Sequence, residues 1–519
     1  MRNVGLPADS LYPRFLSIPT FPMLRLARFI FPLLIVSLTA LAGDNAPAPK
    51  PSVLKLTLET AIQAALAKNF AIQVEKFEPK IAQENITQQL GHFDPTFSLT
   101  AQRTENALPG LFQNDIHLRT RALTRTDLLS ADLAGATSIG LTYDLGLSSS
   151  NTLGIFNHFT NFYESTASVS IKQPLLRGFG TAANLAQVRI ARNNAKVTEW
   201  QLRQQIIDTI TTTNFVYNEL HFAKENLQVA EQNQELANQL LKDNQAREKI
   251  GTMALLDVAE ARAQVASREE AVILARRTIL DNENLLKQLV TNDIERLLDV
   301  RIEIEPPPSP PFHADVRAAI REALELRPDY RQAILTIERS NITLAFTRNE
   351  VLPRFDLTAS LALLGIDNEI GRSLSRIGDK DQTLWTAGAI MSLPIPNREA
   401  RGARNAAALE CAKALVALKQ LEQQVVVDVD NASGQIVTSG ERITSTSEAT
   451  RLARETLDAA DKKLKAGTGT TFEVLDLQEK LAEAEAAELR ARADYNKAVS
   501  EYQRQTGTAL KVHNVVFFK

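Results

Sequence analysis

Between Thr181 and Lys249 the chain runs for about 69 residues without a single glycine or proline. Such a stretch is most simply one helix, and at 1.5 Å per residue it would reach on the order of 100 Å. Leu220, Ala223, Leu227, Ala230, Ala237 and Leu241 fall on alternating three- and four-residue steps, with Gln234 at the missing one. That is the spacing of a coiled-coil seam. From Asn397 to Lys465 a second stretch of the same length places Ala453, Leu457, Ala460 and Leu464 on a seam. Gly434 and Gly440 weaken its middle and suggest a bend. Only 6% of the residues are aromatic, which suits long helices packed side by side better than a string of compact globules.

Both runs stop at a glycine. The first ends in Lys249-Ile250-Gly251-Thr252 and the second in Lys465-Ala466-Gly467-Thr468-Gly469, and six residues after each of Gly251 and Gly467 stands an acid followed by valine. Glycine ends a helix in the left-handed conformation, the adjoining threonine is expected to cap the next helix, and an acid in a first turn suits the helix dipole. Each stretch therefore reads as the tip of a helical hairpin, with return legs from about Leu255 to Val290 and from Glu473 to about Thr506.

Ahead of each long run come a shorter helix and strands. Thr57-Leu58-Glu59 opens a helix expected to reach about Leu90, and strand-like alternation follows at Phe93 to Ala101, about Ser138 to Leu147 and Thr166 to Gln173. The second half repeats this at an offset of about 258 residues: Ala319 to Glu325 matches Ala61 to Ala67, and Pro353 to Ala359 matches Pro95 to Ala101. Another strand is expected from about Leu384 to Leu393. The Pro306 to Pro311 run separates the halves as a stiff linker. The expected divisions are an N-terminal extension and signal peptide (1–42), a flexible leader (43–57), a first repeat (58–305), a Pro-rich linker (306–314), a second repeat (315–508) and a tail (509–519).

The export signal rests on Met23-Leu24-Arg25-Leu26-Ala27-Arg28, a roughly 13-residue apolar run from Phe29, and Ala40-Leu41-Ala42, with cleavage expected after Ala42. That run is short for a membrane-spanning helix. Net charge is −3, which gives no basic surface for nucleic acid; six scattered histidines and the lone Cys411 offer no metal or disulfide framework. No nucleophile-base set or phosphate loop stands out, so neither an enzyme nor a cofactor is expected.

Lengths then constrain the architecture. Each half holds one long helix and two of about half its length, so the short pair stacked end to end would match the long one. The strands fall at the end away from the tips. About four or more strands per chain would leave bare edges, and three copies of four would supply about twelve, a number compatible with an outer-membrane barrel. The expected fold class is thus mainly α: duplicated hairpins forming a trimeric α-barrel, with strands contributed to a shared membrane β-barrel.

The chain resembles the TolC-type outer-membrane efflux proteins. The resemblance is carried by the duplicated openings at Leu58 to Leu66 and Ala319 to Glu325, the Pro-x-Phe strands at Pro95 and Pro353, Gln173-Pro174-Leu175-Leu176-Arg177-Gly178-Phe179-Gly180 at a strand-to-helix junction, and both glycine tips. It implies a homotrimer in the outer membrane with a large periplasmic portion. Such a channel is the exit duct of a tripartite efflux pump or type I secretion system, partnered by a periplasmic adaptor and, through it, an inner-membrane transporter. The alternative is a periplasmic coiled-coil adaptor or linker, which two hairpins and several long strands disfavour.

By the same resemblance, Glu473 and Asp476 match the acids that narrow the periplasmic entrance; read alone, they are first-turn acids facing a helix dipole. Gly251, Thr252, Gly467 and Thr468 are the expected adaptor-docking tips, although turn geometry explains the glycines equally. Phe97, Phe355 and Trp385 fit either a membrane-interface belt or contacts inside the barrel. The family prototype's latch positions fall on Leu464 and Gly469, which cannot form the same contacts. Cys411 reads as a packing residue.

Overall fold

The computed structural model describes residues 53–108, 122–154, 157–308, 312 and 315–515, which belong to one compact unit. The expected signal segment and most of the leader lie outside them. In chain order the elements are β1 (Val53–Leu56), α1 (Leu58–Lys68), α2 (Phe70–Glu75), α3 (Glu78–Leu90), β2 (Thr96–Leu108), β3 (Ala122–Ala136), β4 (Thr142–Gly154), β5 (Tyr163–Pro174), α4 (Thr181–Asn184), α5 (Ala186–Lys249), α6 (Leu255–Val290) and β6 (Arg301–Ile304). The second half follows with α7 (Val316–Leu326), α8 (Pro328–Glu350), β7 (Arg354–Asp367), α9 (Ile370–Arg376), β8 (Gln382–Ser392), α10 (Arg398–Lys465), α11 (Thr471–Thr506) and α12 (Ala509–Val512).

The long helices α5 and α10 hold 64 and 68 residues, so each spans about 100 Å. Short helices cover different parts of each. On α5, Ile86 of α3 packs near the start against Val188 and Ala191, while Leu286 of α6 meets Tyr217 and Leu220 further along. On α10, Ala319 and Ala323 of α7 pack with Val425 and Val429, and α11 covers the half toward the tip. Near the first tip the buried positions of α5 are Asn233, Ala237, Leu240 and Asn244, so the seam falls one residue before the expected Leu241. Gly434 and Gly440 do not interrupt α10; at Gly440 a Cβ would make only ordinary contact, 3.8 Å from Tyr495.

Two expected continuous elements are broken for local reasons. The helix expected to run to Leu90 is three pieces: Asn69 turns extended and its Oδ1 accepts from Ala71 N, capping α2, and Pro79 starts α3 after a turn. Pro328 likewise forces Arg327 extended (ψ 124°) and separates α7 from α8. The leader, expected to be flexible through residue 57, is ordered from Val53, where β1 pairs in parallel with β6. Tyr217, fully buried on α5, holds that pair: its hydroxyl donates to Glu305 O (2.8 Å), with Leu56 O at 3.1 Å.

The strands form one antiparallel sheet in the order β2-β3-β4-β5-β7-β8. Six strands meet the expectation of about four or more: β2, β4, β5, β7 and β8 fall on the expected strand-like stretches, and β3 is wholly new. Its sequence, ALTRTDLLSADLAGA, carries two aspartates and no valine or isoleucine, so propensity gives it little weight. Register explains the pattern. Phe97↔Leu133, Leu145↔Val169, Val169↔Leu361 and Phe355↔Met391 place odd-numbered residues of all six strands on one face, with Trp385 beside Leu361. That face is apolar over its helix-proximal part, while Arg103, Arg125, Asp127 and Asn151 occupy it toward the far ends of β2, β3 and β4. Ser98, Asp132, Ser148, Ser168, Ser170 and Ser360 occupy the opposite face, which is mostly polar with small side chains, interrupted by Leu128, Lys172, Leu384 and Ile390.

Arg327 ties the joint between α7 and α8 to both hairpin legs. Its guanidinium donates to Asp329 (2.7 Å), Asp428 of α10 (3.3 Å) and Gln505 of α11 (2.9 Å). Nearby, burial alone would push the Glu501 carboxyl up, but hydrogen bonds from Arg504 and Gln505 outweigh it and hold the group below the usual range. Arg327→Met should cost about 3 kcal/mol in urea unfolding, because Asp428 is left without its partner. A group whose folded pKa is depressed stabilises above its unfolded value and loses that contribution as pH falls. The wild-type midpoint should therefore drop below about pH 4.3, and Glu501→Gln should flatten that drop. An unchanged slope in Glu501→Gln would assign the acid sensitivity elsewhere.

Candidate functional site

The two hairpin tips share one construction. Gly251 and Gly467 have φ of +79° and +77°, the left-handed conformation that only glycine adopts cheaply. Gly251 N donates to Glu248 O and Thr252 N to Arg247 O; Gly467 N donates to Leu464 O and Thr468 N to Lys463 O. Thr252 and Thr468 also turn their hydroxyls back onto those Arg247 and Lys463 carbonyls. They close the preceding helix and do not cap the next one, contrary to the sequence expectation. Capping falls to Thr470, which accepts from Glu473 N at 3.2 Å, and to Asp257, which accepts from Ala254 N at 3.3 Å.

Glu473 and Asp476 lie one turn apart on α11, directly after the second tip. Glu473 is exposed and in no ion pair among the described residues. Asp476 is half-exposed and pairs with Lys480 at 2.6 Å. That hydrogen bond holds the Lys480 ammonium above its ordinary range. The two acids are therefore unequal: Glu473 presents a bare charge, whereas much of the field of Asp476 is offset within its own helix.

Beneath the tip, Leu464 is buried with Leu240, Ala460, Val474 and Leu475. Thus the position where the family resemblance leads one to expect an aromatic latch joins α5, α10 and α11 by apolar packing. Polar links between the hairpins come from residues the sequence did not single out: near the tip Glu479 of α11 meets Gln264 (3.4 Å) and Arg268 (3.8 Å) of α6, and further along Glu219 of α5 pairs with Arg490 (3.0 Å) and Lys497 (2.5 Å) of α11. Also unanticipated are the large apolar side chains bared around the tips, with Ile250, Leu255, Leu256 and Phe472 all at least two-thirds exposed.

At the other end, Phe97, Phe355 and Trp385 share the apolar sheet face. Phe97 and Phe355 stand at the helix-proximal ends of β2 and β7, and Trp385 stands toward the opposite end of β8. The Gln173 to Gly180 motif acquires a physical role there. Gly178 N donates to Asn349 Oδ1 at 2.7 Å, Asn349 Nδ2 donates back to Leu176 O, and Arg177 pairs with Glu350. The end of the first repeat's sheet is thereby fixed to α8 of the second. Cys411 Sγ donates to Asn341 Oδ1 at 3.2 Å between α10 and α8, a packing position.

A sequence profile of the outer membrane efflux protein family matches residues 130–292 and 319–508. The chain belongs to that family. Among efflux proteins similar to it is the outer membrane efflux protein BepC of Brucella suis biovar 1 (strain 1330), 24% identical over 343 residues, 64% of this chain and 70% of the relative. The pyoverdine export outer membrane protein OpmQ of Pseudomonas putida is also 24% identical, over 51% of this chain and 55% of its own length. The fold is that of Vibrio cholerae VceC (TM-score 0.64, 17% identity, 87% of this chain and 96% of that one). It is equally that of the Campylobacter jejuni CmeC channel (TM-score 0.66, 15% identity, 92% and 94%). This efflux protein is accordingly an outer-membrane channel protein with a large periplasmic helical part, and the adaptor alternative falls away. No described helix is long and apolar enough to cross a membrane.

Proposed function

We propose that three copies of the chain assemble into one conduit, the exit duct of a tripartite efflux pump or type I secretion system, passing substrates passively from periplasm to exterior. The observation that carries this reading is the six-stranded sheet with one mainly apolar face, one mainly polar face and two free edges at β2 and β8. A sheet of that kind is satisfied by closing on copies of itself within lipid. Because β2 and β8 run in opposite directions, edge-to-edge joining preserves the antiparallel order. The helices support the same assembly: Leu409, Val416 and Val437 of α10 and Ile273 and Leu274 of α6 are all more than half exposed in one copy.

In this reading residues 58–305 and 315–508 each supply one hairpin to the periplasmic barrel. The tips, Gly251-Thr252 and Gly467-Thr468, receive an adaptor that couples the duct to an inner-membrane transporter. The bared Ile250, Leu255, Leu256 and Phe472 give that contact an apolar component. Phe97 and Phe355, at the helix-proximal ends of their strands, anchor the sheet at the membrane interface, and Trp385, paired with Leu361, faces the lipid on the same side of the sheet.

Glu473 and Asp476 ring the entrance, with Glu473 supplying most of the field. Glu473→Ala is expected to raise single-channel conductance and weaken block by multivalent cations, and adding Asp476→Ala should change little more. Unchanged conductance and block in the double variant would return both acids to the role of first-turn helix residues.

A further inference from the structure

The first repeat carries a hairpin that the second lacks. Equivalent landmarks are 258 residues apart at Pro95 and Pro353 but 220 apart at Pro174 and Pro394, so the extra chain lies between β2 and the end of β5. It forms β3 and β4. We infer that this hairpin is part of the membrane wall, so that each copy contributes six strands and the trimer closes an eighteen-stranded outer-membrane barrel. The copy number rests on the reading above; the position of the hairpin does not.

Three observations place the hairpin in the wall. First, β3 and β4 stand between β2 and β5 in the sheet order and pair with both neighbours along nearly their whole lengths. They are 15 and 13 residues long, enough to span a bilayer when tilted. Second, the turn between them lies level with the helix-proximal ends of the other strands: Thr96 pairs with Ala134, Thr142 pairs with Lys172, and Gly180 N donates to Ile139 O. The hairpin therefore does not project as an external flap. Third, its two faces continue those of its neighbours. Leu129, Leu133, Leu145 and Leu147 extend the apolar face, with Leu129, Leu145 and Leu147 at least two-fifths exposed, while Ser130, Asp132, Ser148 and Ser150 extend the polar one.

Barrel diameter grows roughly linearly with strand number, so eighteen strands give a wall about 1.5 times as wide as twelve. At the usual strand spacing and tilt this is roughly 35 Å between backbones. On the β3–β4 hairpin the lumen face is mostly serine, threonine, aspartate and Gly146, side chains too small to fill that width. The membrane section is then a wide hydrophilic vestibule for polar cargo, and selection by size falls to the helical tip.

The test places single cysteines in a Cys411→Ala background of the full chain in outer membranes. Leu129→Cys and Leu147→Cys should react with a lipophilic maleimide and resist a charged thiosulfonate, matching the behaviour expected of Val169→Cys in β5. Ser130→Cys and Ser148→Cys should react with the charged reagent, matching the behaviour expected of Ser170→Cys. Labelling of Leu129→Cys and Leu147→Cys by the charged reagent as readily as their neighbours would place the hairpin outside the bilayer and overturn the inference. Native mass of the same samples separates the two claims: alternating labelling with a copy number other than three leaves six strands per copy but refutes eighteen. As a second measurement, deleting residues 111–160 should reduce the largest polyethylene glycol admitted from the outer side to about two-thirds in diameter. An unchanged cutoff in an inserted variant would contradict the wide wall.

Discussion

Val169→Arg and Leu361→Arg should each prevent stable assembly in the outer membrane, whereas Ser170→Arg should be tolerated. Val169 and Leu361 are direct cross-strand partners at the middle of the apolar face. An arginine at the bilayer midplane of a barrel costs about 2–4 kcal/mol. In a trimer that cost recurs in every copy, about 6–12 kcal/mol in all, which is comparable to the whole 5–15 kcal/mol or so by which folded domains are stable. Ser170 is one residue from Val169, and the two-residue period of a strand turns it to the polar face, where a long cation meets water. The measurement is the yield of assembled protein in outer-membrane fractions, followed by urea unfolding in lipid vesicles. Equal yields for Val169→Arg and Ser170→Arg would mean that the apolar face does not contact lipid.

The second large effect is expected along α10. Leu409 and Val416 are 72% and 69% exposed in one copy and lie seven residues apart, on one helix face. Such a face on a water-bathed helix calls for a covering surface, and in the proposed trimer the neighbouring copy would provide one. Leu409→Glu with Val416→Glu should therefore abolish the trimer in detergent while the hairpin itself, packed through Val425 and Val429, keeps its helicity. Native mass and circular dichroism read the two properties separately. A double variant that remains trimeric would remove this face from the subunit interface.

What could be read from the sequence follows from the strength of each physical signal. The first long helix was legible because some 69 residues without glycine or proline have few alternatives, the second because it repeats the first in length and seam despite its glycines, and the tips because a left-handed turn requires the glycines at 251 and 467. The sheet was less legible. Outer-membrane strands alternate apolar and polar residues but fill the polar face with serine and aspartate, so β3 resembles a loop until its partners β2 and β4 reveal the register. The β1–β6 pair was hidden because four-residue strands carry almost no pattern, and its order depends on Tyr217, some 160 residues from Leu56 in sequence.

At the tip, the family resemblance pointed to Glu473 and Asp476 together but could not distinguish them. Their difference arises from Lys480, one turn further on, which the sequence also contains but which becomes decisive only when its ammonium is seen 2.6 Å from Asp476. The polar links between hairpins were invisible for a deeper reason: Arg268 and Glu479 are 211 positions apart, Glu219 and Arg490 are 271 apart, and only the packing of α5 and α6 against α11 brings them together.

The central claim is that this efflux protein forms a trimeric conduit, and planar-bilayer recording of protein whose native mass is determined in the same preparation tests it most directly. The expected result is a particle of three chains giving discrete, long-lived ion-conducting steps. A monomeric particle, or a trimer that leaves the bilayer silent even when Glu473 and Asp476 are both alanine, would contradict it.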